Sequence, residues 1–186
     1  MLVFGDIPRV VQVARRSVGC AERPFVDPHY VVTYVFDGAI RYRIEDRLYH
    51  LRQGALVLKA PYRLHLVQPA SERFGKINIH FEVMAPLRLS REFDGVVVLP
   101  ESQQSQARSL CERGYELWHG DRPARETALS GIVQELIALL VDATEKNYIL
   151  SLLQQQMLEA GLIRASEEEA EILIYPQVAN SAIDDS

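Results

Sequence analysis

Between Tyr30 and Val83 the chain is a succession of short runs rich in β-branched and aromatic residues, separated by turn signals at about the 8–12-residue spacing of sandwiches and barrels. The pattern predicts strands at Tyr30–Phe36, Ala39–Ile44, Arg47–Leu51, Ala55–Lys59, Leu64–Gln68 and Lys76–Val83, with Val96–Leu99 as a last strand. Asp37-Gly38 follows the first run at once and predicts a tight turn, because glycine tolerates positive φ without steric cost. Glu45-Asp46 predicts the next reversal.

After Pro100 the period changes. Ala107, Leu110, Cys111, Gly114, Leu117 and Trp118 recur at three- and four-residue steps, which predicts a helix from about Gln103 to Trp118. Leu129, Ile132, Val133, Leu136, Ile137 and Leu140 repeat the step after a break at Gly120–Pro123 and predict a second helix. A third is expected over Ile149–Leu158. Ser166 with Glu169 has the form of a capping box and opens a fourth, running to about Tyr175 ahead of Pro176. The acidic run Glu167–Glu169 then answers a helix dipole and is not a binding tail. No internal repeat or low-complexity segment interrupts this order.

With 186 residues, 48% of them hydrophobic, the chain can bury a core of one domain, or of one domain with an appendage. Its formal net charge of -5 gives no electrostatic reason for direct contact with nucleic acid. Met1-Leu2-Val3-Phe4 is too short, and lacks the basic flank, to be a signal peptide, and no run reads as a membrane span, so a cytoplasmic protein is expected. Cys20 and Cys111 have no partner at metal spacing and are expected as free thiols.

The order Arg23-Pro24, Tyr34-Val35-Phe36-Asp37-Gly38, Tyr42-Arg43-Ile44, Tyr49-His50-Leu51, Gly54, Leu56-Val57-Leu58, Pro61, His65 and Ile79-His80-Phe81 resembles the N-terminal effector domain of AraC-type transcription regulators. The resemblance implies an α+β fold: a cupin-like antiparallel β-barrel of jelly-roll type followed by a helical dimerisation and linker segment. It divides the chain into an arm at residues 1–22, an effector-binding barrel at 23–100, a helical dimerisation segment at 101–145 and a helical linker at 146–186.

Cupin barrels often hold a metal on a His-x-His pair, a Glu seven residues before the turn glycine and a later His. Here those positions carry Phe25, Val26 and Asp27, then Val31, and only His65 matches. One ligand cannot hold a catalytic metal, and nothing places a carboxylate pair or a Ser-His-Asp arrangement on one face. No catalytic residue, metal or cofactor is therefore expected.

The remaining expectation is binding without chemistry. In Lys76–Val83 the alternation puts Lys76, Asn78, His80 and Glu82 on one face and Ile77, Ile79, Phe81 and Val83 on the other. Either the polar set faces solvent or it aims donors into the barrel. The resemblance implies that the positions of Arg23, Lys76 and Asn78 line the cavity, while the aromatic residue that stacks on a sugar in one member is replaced here by Asn78. Arg23, Lys76, Asn78, His65 and His80 are the candidate ligand-binding residues. His65 and His80 also read as ordinary core or rim histidines, and Arg23 as a surface residue. Tyr30, Tyr34 and Tyr42 are candidate pocket walls or packing residues, Arg41 and Arg43 sit on a wet face, and Trp118 belongs to the core or to a dimer interface.

The partners implied are a small-molecule effector, a sugar or another small metabolite, and a second copy of the chain, against the alternative of a helical layer within one chain. The segment Ile172–Ala179 reads as the approach to the first helix of a helix-turn-helix module lying beyond Ser186, through which DNA would be contacted. No membrane partner is expected. The rival readings are a stand-alone cupin enzyme, an isomerase or a metal dioxygenase, and an assembly module whose barrel holds no ligand.

Overall fold

The computed structural model describes residues 7–17, 24–44, 46–84 and 96–159. The chain divides into two compact units, Met1–Lys146 and Asn147–Ser186. Arg23, Cys20 and the expected fourth helix lie outside the described residues.

The strands are β1 (Arg9–Ser17), β2 (Phe25–Val26), β3 (Tyr30–Ile44), β4 (Arg47–Arg52), β5 (Ala55–Lys59), β6 (Leu64–Glu82) and β7 (Val96–Val98), followed by α1 (Glu101–His119) and α2 (Arg125–Glu159). All seven strands join one antiparallel sheet in the order β1-β6-β3-β5-β7, with β2 on β6 and β4 on β3. β1 is a strand that periodicity did not reveal within the arm. It pairs with the end of β6, from Arg9 opposite Glu82 to Ser17 opposite Gly75.

Asp37-Gly38 is not a hairpin turn. The runs on either side of it form the single strand β3, which follows β6 from Tyr30 to Ile44 through register shifts at Val35/Asp37 and Gly38/Ile40. Gly38 has φ 64, and a Cβ there would overlap the carbonyl oxygen of Arg73, so the positive φ serves a bulge that carries one long strand past its partner. The two runs expected at Leu64–Gln68 and Lys76–Val83 join as β6 in the same way. True reversals occur after Ile44, where Arg47 pairs back with Ile44, and at Gln53-Gly54. Gly54, at φ 88, sends its N–H to Val35 O and accepts from Leu99 N, in a space closed by the side chain of Gln104.

The bulge reverses the sidedness of the strand. Before it, Val32 and Tyr34 point to an apolar layer shared with the helices; after it, Ile40 and Tyr42 point to the opposite, inner face. In the helical layer Ile77, Ile79 and Phe81 of β6 pack with Leu110 and Cys111 of α1 and with Ile132 and Leu136 of α2. Tyr34 fixes α1 to the sheet by donating its hydroxyl to Gln104 O at 3.0 Å. α1 ends where Gly120 N–H returns to Glu116 O.

The two helices expected over 129–140 and 149–158 are one continuous helix, α2, because no breaker lies between Leu140 and Ile149. Its segment Arg125–Thr144 is by length and composition apolar enough to cross a membrane, contrary to the sequence reading. In the fold Leu129, Ile132, Val133, Leu136, Ile137 and Leu140 of that segment are buried in the layer against the sheet. The apolar stripes of α1 and of this segment thus find cover within one chain, and Trp118 packs, partly buried, at the edge of the same layer.

Candidate functional site

The inner face of the barrel is where the polar residues gather. Lys76 (1% exposed) and Asn78 (7%) of β6 stand beside Val35 and Thr33 of β3, and His80 pairs in register with Val31. Of the two alternatives for this strand, the polar side chains Lys76 and Asn78 turn inward. Thr33 is itself buried and donates from Oγ1 to Asn78 Oδ1 at 2.9 Å.

Past the bulge the same face carries His65 and Tyr42, whose rings stack at 5.7 Å with Nδ1 of His65 3.0 Å from the tyrosine hydroxyl. Phe25 of β2 packs on the same imidazole, tilted by 44° and also at 5.7 Å between ring centres. Lys59, at the end of β5 and 2% exposed, places Nζ 5.5 Å from the ring centres of both Phe25 and Tyr42. An ammonium against two aromatic faces is a favourable electrostatic placement inside a protein. Tyr30 and Tyr34, the other candidate walls, are on the helix side, Tyr30 stacked on Phe81 at 5.5 Å.

At one end of this face Asp27, His29 and His80 meet. Asp27 Oδ2 is 3.0 Å from His80 Nδ1, and Asp27 Oδ1 is 3.4 Å from His29 Nδ1. The carboxylate is held from below by the backbone N–H of His29, 2.9 Å from Oδ1. One atom from each of the three residues lies within 4.8 Å of the others. Burial holds the His80 imidazole below its ordinary value; Asp27 opposes this, while Lys59 and His29 add to it.

The four positions at which a cupin metal is bound carry Phe25, Asp27, Val31 and His65. Val31 is fully buried and, like Phe25, offers only carbon, so this set does not fit the usual cupin ion. Sequence reasoning singled out Lys76, Asn78, His65 and His80, and the fold brings all four to one face. It missed Lys59, Thr33 and Asp27. Lys59 reads as the wet end of the run Ala55–Lys59, although its two-residue step from Ala55 and Val57 was a usable signal. Asp27 enters the sequence reading only as a residue out of pattern at a cupin ligand position, and nothing in the spacing points to its pairing with His80.

Residues 22–155 match the family described as the AraC-like ligand binding domain. The chain belongs to that family. The match spans β2 to β7, α1 and most of α2, and β1 precedes it. No curated protein matches the chain significantly. Among solved structures, an RmlC-like cupin protein with a double-stranded β-helix fold from Methanocaldococcus jannaschii is similar at 16% identity and TM-score 0.37, over 39% of this chain and 70% of that one. A predicted oxalate decarboxylase from Thermotoga maritima matches at 9% identity and TM-score 0.38, over 40% and 69%. A cupin superfamily protein from Desulfitobacterium hafniense DCB-2 matches at 16% identity and TM-score 0.37, again over 40% and 69%. The AraC-like domain here is built as a seven-stranded antiparallel sheet followed by a helical segment.

Proposed function

We propose that this AraC-like ligand binding domain senses a small-molecule effector on the inner face of its barrel and dimerises, so that the effector controls transcription through a DNA-binding domain outside the chain. The observation that carries the reading is the burial of Thr33, Lys59, His65, Lys76 and Asn78 on one face, framed by Phe25 and Tyr42. A few aimed polar groups among apolar and aromatic walls are what a small-molecule site requires. A core that served stability alone would carry aliphatic residues there. The role is binding without catalysis, since two of the four cupin ligand positions supply only carbon. Arg23 is proposed as a further ligand contact, and the surroundings are cytoplasmic.

Thermal shift of the full chain against sugars, amino acids and aromatic or aliphatic acids tests this, because a ligand of the folded state raises Tm by mass action. One chemical class is expected to raise Tm with concentration, and Lys76→Met and Asn78→Ala to abolish most of the rise. No shift with any class, or a shift indifferent to both variants, removes the effector site. Light scattering tests the dimer, and the reading frame beyond Ser186 tests the transcriptional role, which two helix-turn-helix patterns would support.

A further inference from the structure

The trio at the end of the inner face brings two imidazole nitrogens to the two oxygens of a single carboxylate. Two atoms bound to one ion at about 2.0–2.1 Å, at angles between octahedral and tetrahedral, lie about 2.9–3.4 Å apart. The two imidazoles approach opposite oxygens of one carboxylate, His80 at 3.0 Å and His29 at 3.4 Å, and one ligand atom from each of the three residues lies within 4.8 Å of the others, so a small inward movement of the imidazoles closes the set on one ion. We propose that Asp27, His29 and His80 form a binding site for a divalent transition ion of the zinc or cobalt type. Two imidazole nitrogens and one carboxylate favour such ions over calcium or magnesium, which prefer oxygen throughout.

The ligands are mounted on firm supports. His80 lies within β6, between Gln12 of β1 and Val31 of β3. Asp27 has its carboxylate fixed by His29 N–H, and its carbonyl accepts from Tyr62 N at 2.8 Å. Asp27 and His80 have side chains 11% and 14% exposed, and His29, at 34%, leaves a route for entry. The site shares only Asp27 with the cupin ligand positions, and His65 takes no part. Three protein ligands leave a coordination position for water or for an oxygen or nitrogen of a small molecule.

Titration of the untagged full chain, freed of metal with a chelator, with zinc in a calorimeter and with cobalt in a spectrophotometer reads the site directly, with no effector present. Uptake of one ion per chain is expected, with visible cobalt bands. Loss of a ligand should cost at least what loss of an outer-shell partner costs, so His29→Gln, Asp27→Asn and His80→Gln should each weaken binding by roughly 10–100-fold. His50→Gln, an exposed histidine on β4, should leave it unchanged. His29 is part-exposed, so its variant keeps the fold even where His80→Gln does not. Absence of stoichiometric uptake, or uptake indifferent to both His29→Gln and Asp27→Asn, overturns the proposal and leaves the trio as a hydrogen-bonded clasp.

Discussion

Strand β6 presents two faces that differ in everything except burial. Ile77, Ile79 and Phe81, at most 1% exposed, meet the helices through carbon alone. Lys76 and Asn78 alternate with them and are nearly as enclosed, yet each brings groups that lose water on burial. The helix side gains from every methylene it removes from solvent, at about 25 cal/mol per Å². The inner side gains far less, because each buried polar group must recover in the protein the hydrogen bonds it had in water. An inner face kept polar at that disadvantage is what the proposed effector site calls for, while the helix side carries stability.

Substitutions on the two sides should separate these roles, and the largest effect belongs to the helix side. Phe81→Ala removes a fully buried ring stacked on Tyr30. It is expected to destabilise the fold by about 3–5 kcal/mol, since the cavity adds to the lost transfer energy. Denaturant unfolding measures this. A loss below about 1 kcal/mol would mean that the helical layer is not packed as described.

Next in size is the point that joins the faces. Gly38→Ala meets both a left-handed φ and the Arg73 carbonyl, and strain of this kind costs roughly 1–3 kcal/mol even without the overlap. Because the bulge determines which side chains of β3 point inward, the variant should also weaken any effector-induced rise in Tm. Stability and ligand response unchanged from the parent would show that the bulge does not set the sidedness.

The same bulge explains how much was legible from sequence. The strands expected at Ala55–Lys59 and Arg47–Leu51 were readable because the first is a short apolar run and the second alternates, each between turn signals, and so was the placing of Lys76 and Asn78 on one side. The sidedness of Tyr34 and Tyr42 was not. Both have even numbers on one strand, and only the register shifts at Val35/Asp37 and Gly38/Ile40 put one against the helices and the other inside. A period of two cannot be carried across an extra residue. The trio of Asp27, His29 and His80 was hidden for another reason: strand pairing brings together residues more than 50 positions apart, and their spacing matches no short motif. β1 was missed because, with Val13 as its one fully buried residue, its alternation is faint.

The smallest effect tests the inner face on its own terms. Thr33 and Asn78 face each other in register, and their side-chain hydrogen bond is buried. Thr33→Val keeps the shape and removes the donor, which should cost about 1 kcal/mol, whereas exchanging both partners for apolar residues can be nearly neutral. Asn78→Leu alone should cost about as much for the same reason, so in the double-mutant cycle a coupling of about 2 kcal/mol is expected, with the double variant close to the parent in stability. The comparison with Phe81→Ala then becomes quantitative: a two-residue change inside the barrel should disturb the fold less than a single truncation outside it. If the double variant instead loses as much as Phe81→Ala, the polar pair holds the sheet together, and the proposed effector site is not why it is there.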